Sequence, residues 1–360
     1  MRTQKVVYSR IALTILFCLS LASCKKDKSE SNVYTKVVNM GSTNLTIARG
    51  YLSASTVGSK IFFAGGLSST FSNTVNIYDV NAKGWDTKSL TGTRSNLAAI
   101  ASGNKLYFGG GRNIIATDTI DIYDVSTGKW TVLKLSSARY DLAAASAGNK
   151  VLFAGGRLTE VTGFSDVVDI YDVNTGLHTQ AQLTEAKCNL AAVSIGNKIL
   201  FAGGQTATGY SNAVNIYDVS SNTWDTTHLS VRRGMLAGAA SENKVIFAGG
   251  SNGSGLSDVV DIYDINTKKW TTSQLSEKKN SLSAAAGGNK VLFGGGFINT
   301  GYSSVVEIYD TNTGLWSYDN NLSEGRCALS AATSGNKILF GGGKTGNSSY
   351  SSKVDVFELQ

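Results

Sequence analysis

The chain has 360 residues, with 33 Lys and Arg against 26 Asp and Glu, and a formal net charge of +7. This length exceeds the usual range for one hydrophobic core, so it predicts either several domains or a repetitive architecture. A hydrophobic content of 42% excludes an intrinsically disordered chain, and 40 glycines without a single proline favour many tight turns between short strands.

Residues 1–23 are expected to lie outside the fold. Three basic residues precede an apolar run at residues 11–19, which ends at the site LASC, residues 21–24. This order resembles the signal peptide and lipobox of bacterial lipoproteins, and the resemblance implies cleavage before Cys24 and acylation of Cys24. An uncleaved membrane anchor is the alternative, although the run is shorter than the roughly 20 residues that span a bilayer.

Residues 24–32 are therefore interpreted as a lipidated cysteine and a polar tether, followed by the folded part at residues 33–360. The lipid would hold the protein to a membrane of the bacterial cell envelope. Loss of residues 1–23 leaves 30 basic and 26 acidic side chains, a net charge of +4. This excess is too small to indicate nucleic-acid binding.

From residue 33 onward one unit is written seven times, at intervals of 45 to 48 residues. The first marker is a phenylalanine before two glycines: Phe63, Phe108, Phe153, Phe201, Phe247, Phe293 and Phe340. The second is Tyr78, Tyr123, Tyr171, Tyr217, Tyr263 and Tyr309, with Phe357 in the seventh copy. The third, seven residues on, is Trp85, Trp130, Trp224, Trp270 and Trp316, with His178 in copy three.

Within each copy the hydrophobic period is two, which predicts strands. In copy two, LAAIAS, LYFGGG, TIDIYD and KWTVLKL read as four short antiparallel strands joined by turns such as SGNK. The alanine-rich first strand suits a crowded position at a central axis. The two glycines fit a close approach of a neighbouring sheet or a φ that side chains forbid.

These markers resemble kelch repeats, and the resemblance implies an all-β fold, a seven-bladed β-propeller of four-stranded antiparallel blades. Proline often follows Tyr-Asp in the family but is absent here, and His178 replaces the tryptophan of copy three, where we expect looser packing. The last copy stops at its third strand. We therefore expect residues 33–40 to supply the missing strand and to close the ring by pairing with the last blade.

One position on the face that carries the loops before the first strand is basic in every copy. Kelch relatives that bind acidic peptides line their pocket with arginines at this position, and the resemblance implies a cationic ring here. The predicted ring comprises Arg49, Arg94, Arg139, Lys187, Arg233, Lys279 and Arg326, joined just beyond the glycines by Arg112, Arg157 and Lys344. The alternative is that structural acids neutralise the ring: Glu185, Glu277, Glu324, Asp121, Asp169, Asp261, Glu307 and Asp355.

A second recurring position on this face is aromatic in most copies. It comprises Phe71, Phe164, Tyr210, Tyr302 and Tyr350, with Leu256 and Ala116 as exceptions. These rings could stack on sugars or hold a peptide, or they could simply pack each blade on its neighbour. The opposite face carries seven lysines and matching aspartates, which we interpret as a balanced, solvated structural belt.

Catalytic centres are poorly supported. The two histidines, His178 and His228, lie in different blades, so no copper or other metal site and no cofactor is predicted. Cys188 and Cys327 are expected on opposite sides of the ring as free thiols. No catalytic residue can be assigned.

The sequence thus predicts a monomeric, lipid-anchored binding module of the cell envelope. Its ligand would be anionic, either an acidic glycan or an acidic protein segment. The alternative is a carbohydrate-active enzyme of the epimerase or mutarotase type acting on acidic sugars, a class known among bacterial kelch proteins. In a third interpretation, both rings only hold the blades together.

Overall fold

The computed structural model describes residues 32–158 and 163–360, which belong to one compact unit. The signal peptide, Cys24 and residues 25–31 of the tether lie outside the described residues, as do residues 159–162. The fold is all-β, and seven four-stranded antiparallel sheets form the blades of a propeller, as predicted.

Each blade follows one order, from an inner strand at the central channel to an outer edge strand. Blade one comprises β2 (Ser53–Val57), β3 (Lys60–Ala64), β4 (Thr74–Asp79) and β5 (Gly84–Ser89). Blade two comprises β6 (Ala98–Ser102), β7 (Lys105–Gly109), β8 (Thr119–Asp124) and β9 (Lys129–Lys134). Blade three comprises β10 (Ala143–Ala147), β11 (Lys150–Ala154), β12 (Val167–Asp172) and β13 (His178–Gln182).

Blades four to six each have an additional hairpin after the second main strand, formed by two strands of two residues each. Blade four comprises β14 (Ala191–Ile195), β15 (Lys198–Ala202), β18 (Ala213–Asp218) and β19 (Thr223–His228). Blade five comprises β20 (Ala237–Ser241), β21 (Lys244–Ala248), β24 (Val259–Asp264) and β25 (Lys269–Gln274). Blade six comprises β26 (Ser283–Gly287), β27 (Lys290–Gly294), β30 (Val305–Asp310) and β31 (Trp316–Asn321). The hairpins are β16 (Gln205–Thr206) with β17 (Gly209–Tyr210), β22 (Ser251–Asn252) with β23 (Gly255–Leu256), and β28 (Phe297–Ile298) with β29 (Gly301–Tyr302).

Blade seven closes the ring with strands from both ends of the folded part. Its strands are β32 (Ser330–Ser334), β33 (Lys337–Gly341), β34 (Lys353–Leu359) and β1 (Val37–Asn44). The predicted closure is confirmed, but the strand lies four residues later than residues 33–40. It pairs from Val37 opposite Leu359 to Asn44 opposite Lys353, with a bulge between Asn39 and Ser42.

The hydrophobic core is divided into seven layers, each shared by two adjacent blades. The marker phenylalanines are fully buried, and the Phe153 ring lies where a Cβ on Gly109 of the preceding blade would stand. Each pair of glycines combines the two predicted features, a positive φ and a close approach of the neighbouring blade. Gly65 has a φ of +65°, and a Cβ there would lie 2.6 Å from the Arg94 carbonyl oxygen of the next blade.

His178 fills the slot that tryptophan occupies in other blades. Its ring stacks on Tyr171 with centroids 4.4 Å apart and planes 5° apart, and Nε2 lies 2.8 Å from Oδ1 of the buried Asp169. The Tyr–Trp pairs of the other blades have centroids 4.7 to 5.0 Å apart. His178 is nevertheless exposed, whereas the five tryptophans are half-buried, and each of those tryptophans also has a ring contact with the marker phenylalanine of its blade.

Candidate functional site

The seven basic residues of the predicted ring are buried beneath the mouth of the channel. None is more than 2% exposed. Five form ion pairs with an acid of the third strand: Arg94 with Asp121, Arg139 with Asp169, Arg233 with Asp261, Lys279 with Glu307 and Arg326 with Asp355. Arg49, Arg94, Arg139, Lys187, Arg233, Lys279 and Arg326, which were predicted to bind a ligand, are therefore held inside the blades rather than presented at the mouth of the channel.

These ion pairs join the blade to the loop that enters it. The Arg233 guanidinium donates to the Phe247 carbonyl oxygen at 3.0 Å and pairs with Asp261 at 2.8 Å. Asp261 in turn accepts the backbone N–H of Ser230. The basic residue recurs in all seven copies, and in five of them it forms this junction, which is the structural alternative stated above.

In blades one and four the acid is replaced by asparagine. Arg49 donates to the carbonyl oxygens of Ile47, Phe63 and Gly65, while Lys187 donates to the Ala213 carbonyl and to Oδ1 of Asn215. Neither forms an ion pair with any described residue. Burial lowers the pKa of Lys187 to about 8.

Two residues beyond each basic position, the chain reaches the channel mouth in a left-handed conformation. This mouth ring comprises Tyr51, Asn96, Asp141, Asn189, Met235, Ser281 and Ala328, with φ between 49° and 55°. Each backbone N–H donates to the carbonyl of the mouth-ring residue in the preceding blade, at 2.9 to 3.0 Å, and the bond from Tyr51 to Ala328 completes the circle. Strained backbone of this kind persists only where surrounding structure imposes it, and it clusters at functional sites.

The mouth ring surrounds a cavity of about 500 Å³ on the channel axis. Its floor consists of one leucine from each blade: Leu52, Leu97, Leu142, Leu190, Leu236, Leu282 and Leu329. The mouth-ring side chains form its rim, and they differ from blade to blade although the backbone repeats. A volume of this size suits a small ligand.

Polar groups concentrate on the side of the cavity formed by blades two to four. Asn96, Asp141 and Asn189 follow one another around the rim, and Asn96 Nδ2 donates to Asp141 Oδ1 at 2.6 Å. Burial raises the pKa of Asp141, while this hydrogen bond and the charges of Arg157 and Arg112 oppose the rise. The two arginines thus lie near the Asp141 carboxyl.

Arg112 and Arg157 are the members of the predicted cationic set whose charges act on Asp141 at the rim of the cavity. Both are half-buried; the Arg112 guanidinium lies 4.8 Å from the Tyr140 ring centroid and that of Arg157 lies 5.2 Å from the Phe164 ring centroid. Arg157 also donates to Gln205 Oε1 at 3.1 Å. Lys344 occupies the equivalent position across the channel in blade seven.

The predicted aromatic residues are half-buried, and most pack on a neighbouring element. Tyr210 and Tyr350 each lie over a glycine of the next blade, Gly234 and Gly50. Phe71 pairs with Leu67 in an isolated bridge of blade one. Packing between blades therefore accounts for Tyr210 and Tyr350.

Tyr302 and Tyr350 also influence the mouth, because both contribute to the raised pKa of the mouth-ring residue Tyr51. Burial raises the pKa of Tyr51 to about 12, with smaller contributions from Cys327, Tyr350, Tyr302 and Asp141. The Tyr51 phenol therefore keeps its proton at neutral pH and can donate a hydrogen bond into the cavity. Sequence reasoning missed the mouth ring, although it recurs at a fixed distance beyond the basic position.

The remaining chemistry is structural. Cys188 and Cys327 are buried and unbridged, as predicted. On the opposite face the lysine belt pairs with acids, for example Lys150 with Asp172 at 2.9 Å and Lys337 with Glu358 at 2.7 Å. Lys150 and turn N–H groups hold the pKa of Asp172 well below its usual range.

Two further features are absent from the described residues. Residues 32–158 and 163–360 contain no cluster of three or more His, Cys, Asp or Glu side chains placed to hold a metal ion. Over the same residues, no helix has the length and apolar character needed to cross a membrane.

Comparison with known proteins places the fold in a family. No curated protein matches the sequence. The chain is similar to the solved structure of YjhT, with 15% sequence identity, a TM-score of 0.59, and coverage of 88% of this chain and 97% of that one. At this identity the likeness shows the fold alone. The model of the Attractin/LZTR1 beta-propeller matches residues 106–347, more than half of the chain, so the chain belongs to this kelch-type propeller family.

Proposed function

We propose that the protein is a lipid-anchored binding module of the bacterial cell envelope that holds an acidic carbohydrate at the channel mouth. The observation that carries this proposal is the polar arc of Asn96, Asp141 and Asn189 beside Arg157 and Arg112. Amide and carboxyl groups can exchange hydrogen bonds with sugar hydroxyls, and a guanidinium suits a carboxylate.

Two features favour a carbohydrate over an acidic peptide. The cavity of about 500 Å³ has room for one or two sugar rings rather than an extended chain. The backbone N–H groups of the mouth ring are all used in its circle of hydrogen bonds, so they are not available to pair with a peptide backbone.

Calorimetric titration with trigalacturonate, and with neutral trigalactose as the matched ligand, tests the proposal. The acidic sugar is expected to bind more tightly, with an affinity that falls as salt rises to about 0.15 M, because exposed charges are screened. Arg157→Gln should weaken binding about tenfold or more. Lys344→Gln, at the equivalent position across the channel, is the control and should change it less than twofold. Equal affinity for both sugars, or equal effects of both variants, would contradict the proposal.

The lipid anchor requires its own experiment. The LASC site supports acylation of Cys24, so labelled palmitate should enter the full chain and the protein should fractionate with membranes. Cys24→Ala should abolish both. Membrane fractionation that survives this substitution would favour an uncleaved anchor instead.

A second candidate function is proton transfer on the bound sugar, as in an epimerase or mutarotase. Asp141 favours it, because a carboxyl group with a raised pKa at a ligand cavity is suited to general acid or base catalysis. NMR exchange measurements on acidic sugars should then show accelerated interconversion that Asp141→Asn abolishes without abolishing binding. No acceleration across a panel of uronic acids would exclude this function.

A further inference from the structure

A second groove lies on the outer rim of the propeller, at the edge of blades five and six. We call it the rim groove; Trp316 and Tyr318 of β31 line it together with Ser230, Thr272, Ser273 and Gln274. Its volume is about 620 Å³. No charged side chain among the described residues lines it, in contrast to the channel mouth.

Tyr318 is a departure from the repeat. Two residues beyond the Trp or His slot the other blades carry Thr87, Val132, Gln180, Thr226 and Thr272. Only this copy has an aromatic residue there. Tyr318 is 44% exposed, which is a large apolar surface to leave in water without a packing reason.

A β-bulge accompanies the change. In the pairing of β30 with β31, Ile308 lies opposite Ser317 while Val306 lies opposite Asn320, so β31 has one extra residue at this point. Bulges redirect side chains at strand edges and are common next to binding sites. Beyond the bulge, Asn320 Nδ2 donates to the Val37 carbonyl and Asn39 Nδ2 donates to the Asn321 carbonyl of blade six. These contacts fix β31 against the closing strand, but they do not involve the Tyr318 ring.

The neighbouring aromatic residue is held rigidly. The Trp316 ring lies 5.0 Å from the Tyr309 ring, and its Nε1 donates to Ser273 Oγ at 3.0 Å. The groove therefore combines a fixed indole and an exposed phenol with hydroxyl and amide groups from Thr272 and Gln274. Aromatic faces pack on the C–H face of a sugar ring, and hydroxyl and amide groups bond its hydroxyls.

We propose that the rim groove binds a neutral carbohydrate, with the Tyr318 ring lying against one face of a sugar ring. Because none of the described side chains that line the groove is charged, its ligand differs from the acidic sugar proposed at the mouth. The two sites lie on different parts of the molecule, so the failure of one proposal leaves the other standing.

The test is titration of residues 31–360, which form one compact unit, with neutral hexasaccharides of glucose, xylose and mannose. At least one is expected to bind, and Tyr318→Ala should weaken it about tenfold, whereas Tyr318→Phe should retain the affinity because the ring remains. Thr226→Ala, at the equivalent position of blade four, is the matched control and should change nothing. Asp141→Asn at the mouth should also leave this binding intact.

Thermal melting of each variant establishes that the fold is retained, and Gln274→Ala provides a second, independent substitution in the groove that should also weaken binding. The proposal is overturned if no hexasaccharide binds at millimolar concentration. It is equally overturned if binding persists unchanged in both Tyr318→Ala and Gln274→Ala.

Discussion

Arg233 shows how a buried basic residue connects three parts of a blade. Arg233 reaches a carbonyl of the second strand and an acid of the third strand, and that acid holds the incoming loop. A guanidinium without its carboxylate, or the reverse, would leave an uncompensated charge in the interior. The role is structural, and its repetition follows from the repetition of the blade.

Substitution of one partner should therefore cost much stability. Arg233→Met is expected to lower the free energy of unfolding by about 3–5 kcal/mol, because it leaves the Asp261 carboxylate buried without its cation. Urea unfolding at neutral pH measures this loss. Arg232→Met, at the exposed neighbouring arginine, is the control and should change stability by less than about 0.5 kcal/mol.

Lys187 gives a pH dependence with a defined sign. Its folded-state pKa of about 8 lies below the ordinary value of 10.5, so between these values the unfolded chain binds more protons than the folded one. The Lys187 contribution to stability therefore rises with pH across this window, by about 1.4 kcal/mol for each unit of pKa difference. The difference in unfolding free energy between the wild type and Lys187→Met, measured from pH 7 to 10, should increase with pH.

Asn215→Asp supplies the carboxylate that five other blades have at this position. This substitution should raise the pKa of Lys187 and so reduce the increase of stability with pH. If the unfolding free energies of the wild type and Lys187→Met differ by the same amount at every pH, the pKa of Lys187 is not lowered in the folded state.

At the scale of strands and loops, the period of two within each copy was enough to predict the four strands of a blade. The position of β1 was less predictable. Its residues are mostly exposed, so no hydrophobic alternation marks them, and its register depends on pairing with β34 and on the bulge at Asn39.

The mouth ring could not be predicted from local sequence. Residues such as Met235 and Ala328 have no preference for a left-handed conformation, and hydrogen bonds between blades hold them in it. This strain predicts the effect of a glycine. Ala328→Gly should raise the free energy of unfolding by up to about 1 kcal/mol, because glycine adopts this φ without steric cost.

The matched control is Ala332→Gly on β32, where the buried alanine lies in regular strand. It should destabilise by about 1 kcal/mol, since glycine there loses packing and gains only freedom in the unfolded state. Chemical unfolding of both variants measures the pair. Equal destabilisation by both would show that the mouth ring is not strained.

At the scale of the whole molecule, closure by β1 converts seven sheets into a ring. Deletion of residues 32–44 should lower the urea midpoint and broaden the transition, because blade seven loses its outer strand and β34 becomes an open edge. Size-exclusion chromatography should then reveal association through that edge. Deletion of residues 25–31 alone is the control; an unaltered midpoint in both deletions would exclude the closing role of β1.

The repeats also explain which part of the site the sequence could predict. The invariant basic position suggested a ligand ring, but invariance among copies reflects a structural role that each blade needs. The seven residues of the mouth ring, from Tyr51 to Ala328, share one backbone conformation and differ in their side chains. Arg112 and Arg157 directly follow the glycines, and their charges act on Asp141 at the rim, whereas the burial of Arg94 or Lys279 depends on packing between blades.

NMR titration of isotope-labelled residues 31–360 with trigalacturonate tests directly whether the mouth holds an acidic sugar. Chemical shifts are expected to change first at the amides of Asn96, Asp141 and Asn189 and at the Arg157 side chain, while the amides of Ser281 and Ala328 move less. Shift changes confined to other faces of the propeller, or none at millimolar sugar, would contradict it.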